Sequence, residues 1–482
     1  MIDRIIEQQY DKDKRDLLAV CDESRSITFG GLAQEVIEKA SWIQETLNLE
    51  ADQPIGLLFG NSVDAVTWLL AIAKSGHAAV LFGTRMKKEE IFRHVQRIRL
   101  VNIIADPAFS TGLKAIDSEA CSSWKGVIAS FVHEEKAVGF KKGDFICHFT
   151  SGSDGEPKAA IRTLTNVESE IIETSRRLGW TTHQNFLTIP PICHSFGLIA
   201  GTLLPLYYGH TLWLIDQFQP DVVLEYIKKQ RISVLFAIPY MYYLLTRRLL
   251  GTGSQLPSLR YCFSAGAALD QTVEEDFYQA TGLWIIQDYG STETGVMCIN
   301  EQRGEYGNSV GWPVTPRQAI TIDEEGNLIE NPCSQSGELC ISHTGAARYL
   351  YPEVLNQRNF LGEYYRTGDI ARFGTEGEIY LLGRINSLIN VAGNKVDPVE
   401  VERVIMQHPK VKEAAVSGAE IPHVGNVVRA VIVSYGLVDA AEIQKLCKES
   451  LAEFKIPRII EFVKELPRSH SGKLLRNRIG EV

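Results

Sequence analysis

The tightest constraint on what this chain can fold into lies between Pro54 and Phe82. There "PIGLLFG" is a short apolar run bounded by turn residues. "SVDAVTWLLAIAKSG" then spaces its apolar residues as a helix does and stops at Gly76, and "HAAVLF" is a second short apolar run. A strand, a helix and a strand in so few residues leave the two strands parallel, and parallel strands need cover on both faces. The stretch "SITFGGLAQEVIEKASWIQETL" repeats the texture, opening extended and continuing with Leu32, Val36 and Ile43 on one helical face. The expected class is α/β, a large N-terminal domain with several sheets and flanking helices.

Near Gly383 the texture changes. "GEIYLLGRINSLINVAGNKVDPVEVERVI" has strand-like runs around a polar turn. A helix then opens on Asp397 as cap, Pro398 at its first position and Glu400 completing a capping box. Strands at "KEAAVSGA", "VVRAVIVS" and "RIIEFV" and a helix at "AAEIQKLCKESLAEF" follow. This reads as a small C-terminal α+β domain, with boundaries expected at 1–385 and 386–482.

With 482 residues, 45% of them hydrophobic and 22% charged, the chain has material for a sizeable core. Its net charge of −10 argues against a nucleic-acid partner, since phosphate backbones select basic surfaces. Nine cysteines without a Cys-x-x-Cys pair suggest buried thiols rather than a metal or redox motif. The opening "MIDRIIEQQYDKDKRDLL" is too charged for a signal peptide. The apolar stretch Phe196–Ile215, broken by Pro205, His210 and three glycines, is expected to be buried strands and turns and not a membrane span. A cytoplasmic protein is expected.

The chemistry-bearing segment is "FTSGSDGEPKAAIRT", Phe149–Thr163. It is no Walker loop, because Gly152 and Gly155 are too close and Pro157 precedes Lys158. Nor does the chain hold a Gly-x-Gly-x-x-Gly dinucleotide signature. The loop is expected to join two strands, "DFICHF" and "KAAIRT", ahead of a helix boxed by Thr165 and Glu168. Glycines and small hydroxyl residues can wrap a polyphosphate with amide and hydroxyl donors.

Further along stand "PPICHSFG", "FSAGAALD", "QDYGSTETG", "YYRTGD", "GRINSLINVAGNKVDPVEVE" and "LPRSHSGKLLRNRI". In this order, with "FTSGSDGEPK" ahead of them, they resemble the adenylate-forming superfamily, which includes acyl- and aryl-CoA synthetases. The resemblance covers practically the whole chain. It implies a mobile C-terminal domain and a two-step reaction using ATP, Mg²⁺ and coenzyme A. A carboxylate attacks the α-phosphate of ATP, releasing pyrophosphate and leaving an acyl-adenylate, and a thiol then displaces AMP. The carboxylate is already ionised at neutral pH, so the first step needs alignment and charge neutralisation, not a base.

The resemblance also implies roles. Thr150, Ser151, Gly152, Ser153, Gly155 and Lys158 would hold phosphates. Ala265, Gly266, Ala267, Asp288, Tyr289 and Gly290 would surround adenine, with Thr292 on the α-phosphate and Glu293 on Mg²⁺. Asp369 would accept from the ribose hydroxyls, and Arg384 would reach ribose or phosphate. His194, Phe196, Gly197, Ala265 and Gly290 would line the acid pocket, where His194 in place of an aspartate favours a fatty or other unsubstituted acyl or aryl acid over an amino acid. Lys473 would bridge carboxylate and α-phosphate, Asn386 would be the hinge, and Ala392 and Gly393 would border the coenzyme A tunnel.

Three residues depart from the usual pattern. Asp154 replaces a threonine and either meets a cation's shell or caps its own loop, the second being preferred. Asn386 replaces Asp or Lys, and Ala392 replaces glycine. The expected activity is an ATP-dependent acid–thiol ligase forming an acyl-CoA in fatty acid metabolism. The alternatives are a stand-alone enzyme loading a carrier protein, and a nucleotide-binding pseudoenzyme.

Overall fold

The computed structural model describes residues 1–47, 49–50, 52–110, 117–120, 126–131, 139–151, 157–253, 255–314, 318–342, 347–385, 389–391, 394–421, 425–467 and 479, with backbone alone at 110, 117–120, 151, 157, 390, 395 and 425. They gather into two compact units, Met1–Ala319 with Ile341–Tyr365, and Ile320–Cys340 with Arg366–Val482.

The first unit is built on two sheets. Strands Leu18–Cys21, Thr211–Leu214, Asn185–Thr188, Val234–Ala237, Tyr261–Ser264 and Ile285–Ser291 lie parallel in that spatial order. In the second sheet Asp144–Ser151, Ala79–Phe82, Ile55–Leu58 and Asn102–Ala105 are parallel neighbours. Pro157–Thr163 runs antiparallel to Asp144–Ser151 and to Arg348–Tyr351. The strand, helix and strand read between Pro54 and Phe82 are thus Ile55–Leu58, Val63–Lys74 and Ala79–Phe82, with Ser62 capping the helix and Gly76 at φ +93° behind it.

Strand alternation explains why both faces of each sheet are apolar. Val234, Phe236, Phe263, Leu57 and Leu81 join one core that runs between the sheets, around helices Phe29–Thr46, Val63–Lys74 and Leu164–Leu178. Their neighbours Leu235, Ala237 and Cys262 turn instead toward helices Pro220–Lys229, Pro239–Thr252 and Gln271–Thr281. Val80, Phe82 and Ile103 pack on Lys88–Ile98. Eleven of the twelve residues of Val63–Lys74 are buried, which fits a helix apolar all round and enclosed between sheets.

The second unit holds the greater part of the antiparallel strands Tyr364–Phe373 and Ile379–Arg384, and an α+β body. In the latter Val411–Ile421 and Gly425–Ser434 are antiparallel, Ile459–Phe462 joins them in parallel, and helices Pro398–Met406 and Ala440–Ser450 share their core.

Three local expectations change. The helix after the hairpin starts two residues early, capped by Thr163 and Asn166, each side chain bonding the other's amide, while Glu168 accepts from Tyr207 instead. Phe196–Leu203 is a π-helix running into Leu204–Tyr208, followed by the strand Thr211–Leu214, where strands and turns were expected; an all-apolar run carries no period to tell them apart. Among the described residues no helix is long and apolar enough to cross a membrane. Asp397 caps its helix as expected, but Glu400 pairs with Lys455 at 2.6 Å and does not close the box.

Burial leaves several histidines uncharged. His148, on the inter-sheet face, is 1% exposed with neither ring nitrogen hydrogen-bonded, and burial lowers its pKa to about 3. His94 and His210 are lowered to about 4 for the same reason. These groups take up protons more readily unfolded, so their contribution is complete above the ordinary pKa of 6.5 and drains away as pH falls toward 4 or 3. Each should cost roughly 1 kcal/mol of stability per pH unit within that window. Denaturant unfolding at pH 7, 6, 5 and 4.5 should show His148→Met losing less stability than wild type on acidification. Identical slopes would refute the linkage.

Candidate functional site

Parallel strands leave their carboxyl ends on one edge, and loops there form the usual ligand crevice of α/β sheets. Three parallel strands of the first sheet deliver candidate residues to that edge. Thr188 leads into the loop that ends at His194, Ser264 into Ala265, Gly266 and Ala267, and Ile285–Ser291 carries Asp288, Tyr289 and Gly290 before turning at Thr292 and Glu293. Ala265 and Asp288 are buried, Tyr289 and Thr292 are half-buried, and Gly266 and Gly290 are exposed.

A bulge separates Tyr289 from Gly290, and a methyl on Gly290 would come within 2.4 Å of the Gly295 carbonyl. The turn is closed by Ser291 Oγ, which accepts the Thr294 N–H at 3.2 Å. Glu293 is 8% exposed, and its Oε1 accepts the Tyr349 hydroxyl at 2.6 Å. Asn359 Nδ2 donates to the same hydroxyl oxygen at 3.1 Å. Burial first, and the Glu293 carboxylate second, push the Tyr349 pKa far up, so this tyrosine remains a donor. The Ala347 N–H holds the Glu293 carbonyl at 2.6 Å.

The expected phosphate hairpin is present as Asp144–Ser151 and Pro157–Thr163, with Thr150 directly opposite Lys158. Gly152, Ser153, Asp154 and Gly155 lie outside the described residues. Residues opposite each other in a sheet share a face, so Thr150 and Lys158, His148 and Ala160, Ile146 and Arg162 form three successive rows on the inter-sheet side. Arg162, fully buried, donates to Glu170 at 2.5 Å. The other Glu170 oxygen accepts the Val296 N–H at 3.0 Å, beside Gly295 at φ +69°. On its far side Pro157–Thr163 pairs with Arg348–Tyr351, placing Tyr349 opposite Ala160. The hairpin therefore reaches the Glu293 turn twice, through Tyr349 and through Arg162–Glu170.

His194 is solvent-accessible, yet the surrounding protein lowers its pKa and keeps it neutral near pH 7. Its carbonyl accepts the Leu198 N–H at 2.9 Å, opening the π-helix. Phe196 packs 5.3 Å from Phe236, which stacks 4.9 Å from Phe263. Gly197 lies against the Pro190 and Pro191 carbonyls, where a methyl would come within 2.4 and 2.5 Å.

In the second unit Asp369 and Arg384 are cross-strand partners, joined from Arg384 Nε to Asp369 Oδ1 at 2.8 Å. Arg384 also donates to the Thr367 carbonyl at 3.2 Å. Asn386, Ala392, Gly393 and Lys473 lie outside the described residues. Sequence reasoning missed Tyr349, Glu170 and Arg162; each acts on a candidate residue through a partner that no local motif contains.

Comparison with known proteins follows the same lines. Residues 6–351 match the family described as AMP-binding enzyme, and residues 400–473 its C-terminal domain. The 2-succinylbenzoate–CoA ligase of Bacillus cytotoxicus is 27% identical over 476 residues, covering 97% of this chain and 96% of the relative. The o-succinylbenzoate CoA synthetase of Bacillus subtilis, solved in complex with its acyl-adenylate intermediate, superposes with a TM-score of 0.85 at 26% identity, over 99% of this chain and 98% of that one. The same enzyme with ATP and magnesium ion gives 0.84 at 26%, with the same coverage.

A hard cation suits a carboxylate fixed on one oxygen, and Glu293 is such a group among the described residues. Tyr349→Phe removes the fixing hydroxyl and should weaken magnesium–ATP binding about tenfold, as supporting hydrogen bonds to metal-site ligands commonly do. Calorimetric titration checks it; unchanged affinity would detach Tyr349 from this role.

Proposed function

The chain belongs to the AMP-binding enzyme family, and on that premise we propose that it is an ATP-dependent ligase joining an aromatic carboxylic acid to coenzyme A through an acyl-adenylate. The observation that carries the reading is the Glu293 turn, held by Tyr349 at the carboxyl edge of the sheet and tied to the hairpin of Thr150 and Lys158.

The first step needs an anion brought to an anion. Magnesium, when bound, neutralises phosphate charge, and Glu293 is the described residue fit to hold it. Lys158 and the Thr150 and Thr292 hydroxyls would supply donors to phosphate oxygens. Tyr289 would present a ring to adenine. Neutral His194 would offer a hydrogen bond at the acid. No residue is asked to act as base, because the acid arrives ionised. Asp369, its carboxylate held by Arg384, would accept from ribose hydroxyls.

The relatives shift the expectation about the acid. A fatty substrate was anticipated beside an aryl one; relatives that match this chain along nearly its whole length are named for 2-succinylbenzoate, an aromatic acid. The column of Phe196, opening the π-helix, with Phe236 and Phe263 on two neighbouring strands, is consistent with an aromatic ring as guest. Coenzyme A is favoured over a carrier protein because the relatives are named CoA ligases. Residues 386–482 would form the moving domain, with Asn386 as its hinge, Ala392 and Gly393 along the pantetheine path, and Lys473 bridging carboxylate and α-phosphate.

Pyrophosphate release, measured across aromatic, fatty and amino acids with and without coenzyme A, should be fastest with an aromatic acid and rise with coenzyme A. Silence with every acid while ATP still binds would turn the reading toward a pseudoenzyme. Lys473→Ala should lower adenylation by at least about a hundredfold, the scale of losing one preorganised charge partner. Thioester formation from supplied acyl-adenylate should persist; equal loss of both half-reactions would remove the role.

A further inference from the structure

Asn61 follows the strand Ile55–Leu58 of one sheet, but its side chain works on the other. It is 5% exposed, and its amide donates to the carbonyls of Ile189 at 3.1 Å, Pro190 at 3.2 Å and Ile215 at 3.1 Å. Its Oδ1 accepts the Ile192 N–H at 2.9 Å, and its own N–H donates to Asp216 Oδ1 at 2.8 Å. With two N–H bonds, one of them shared, this side chain therefore reaches three carbonyls and takes one amide at the carboxyl ends of Asn185–Thr188 and Thr211–Leu214.

The segment it grips is "IPPIC", Ile189–Cys193. Pro190 and Pro191 have no N–H, so this loop cannot fasten itself by an ordinary backbone ladder. The His194 N–H is then set on the Pro191 carbonyl at 3.0 Å, and Gly197 lies close against the Pro190 and Pro191 carbonyls. The position of His194, and the start of the π-helix carrying Phe196, are in this way referred to a residue of the other sheet.

We propose that Asn61 is a positioning residue for the acid-side loop, fixing His194 and Phe196 against the carboxylic acid without touching it. The proposal rests on the ligase reading above. Misplacing a positioning loop by about an ångström is enough to cost a large factor in rate, and each buried group left unpaired resists the native geometry. The effect should fall on the acid and spare the nucleotide, whose hairpin and Glu293 turn hang on Arg162–Glu170 and Tyr349.

Full-length wild type, Asn61→Ala and Asn61→Ser, checked for folding by circular dichroism, are compared in steady-state pyrophosphate release. Both variants should raise the acid KM about tenfold and lower kcat, with the ATP KM held within about twofold. In a His194→Ala background the acid KM change should shrink, because the two substitutions damage one device. Asp216→Ala, at an exposed position, removes the acceptor of the Asn61 main-chain N–H and should raise the acid KM two- to threefold even where the Asn61 variants fail to fold. A fall in kcat with both KM values unchanged would mark a merely structural residue and overturn the proposal. So would an acid KM shift undiminished in the His194→Ala background, or no shift in Asp216→Ala. Wild-type silence with every acid sinks the ligase reading and this role with it; an active wild type with unshifted variants sinks the latch alone.

Discussion

The first unit depends on a buried ion pair. Arg162 and Glu170 sit eight residues apart, one on a strand of the second sheet and one on the helix between the sheets, at 2.5 Å and almost without solvent. Taking two charges out of water is expensive, and such a pair is rarely a net gain over apolar packing. Removing one partner is another matter, since it strands the other and typically costs about 3–5 kcal/mol. The pair reads best as a specification of geometry. Glu170 spends its second oxygen on the Val296 amide, so the same carboxylate that binds the hairpin also fixes the strand leaving the Glu293 turn.

That arrangement suits a reaction between anions. Such chemistry requires donors and a cation held in place beforehand, because a site that must reorganise as charge moves gives back much of its advantage. Glu293 illustrates the point. A lone buried carboxylate would adjust to whatever came near it; one held by Tyr349, itself held by Asn359, offers a fixed direction. The neutral state of His194 follows the same logic, adding a donor without adding a charge.

Much of this was legible in the sequence. Strand, helix and strand between Pro54 and Phe82 could be read because period and turn residues agree there, and "FTSGSDGEPK" and "YGSTETG" put Thr150 and Glu293 at strand ends, whereas "RTGD" lies inside the strand Tyr364–Phe373. What stayed hidden were partnerships across the chain. Tyr349 and Glu293 are 56 positions apart, and Asn61 and Ile192 are 131 apart. The π-helix was unreadable for a different reason: Phe196–Leu203 is apolar or small throughout, so no face distinguishes itself. Thr163 took the cap expected of Thr165 because its extended backbone already ended the strand, and Asn166 stood where a reciprocal bond could form.

Gly197 and Gly290 bear on how the proposed acid pocket could change over time. At each the space beside the α-carbon is already occupied by a backbone carbonyl, so even a methyl group is excluded. Two walls are in effect defined by main chain, which no substitution can resize. On the proposed lining, variation in substrate preference would fall to side-chain positions such as Phe196 and Ala265. A mutant library aimed at new acids would gain by leaving the glycines fixed and spending its diversity there.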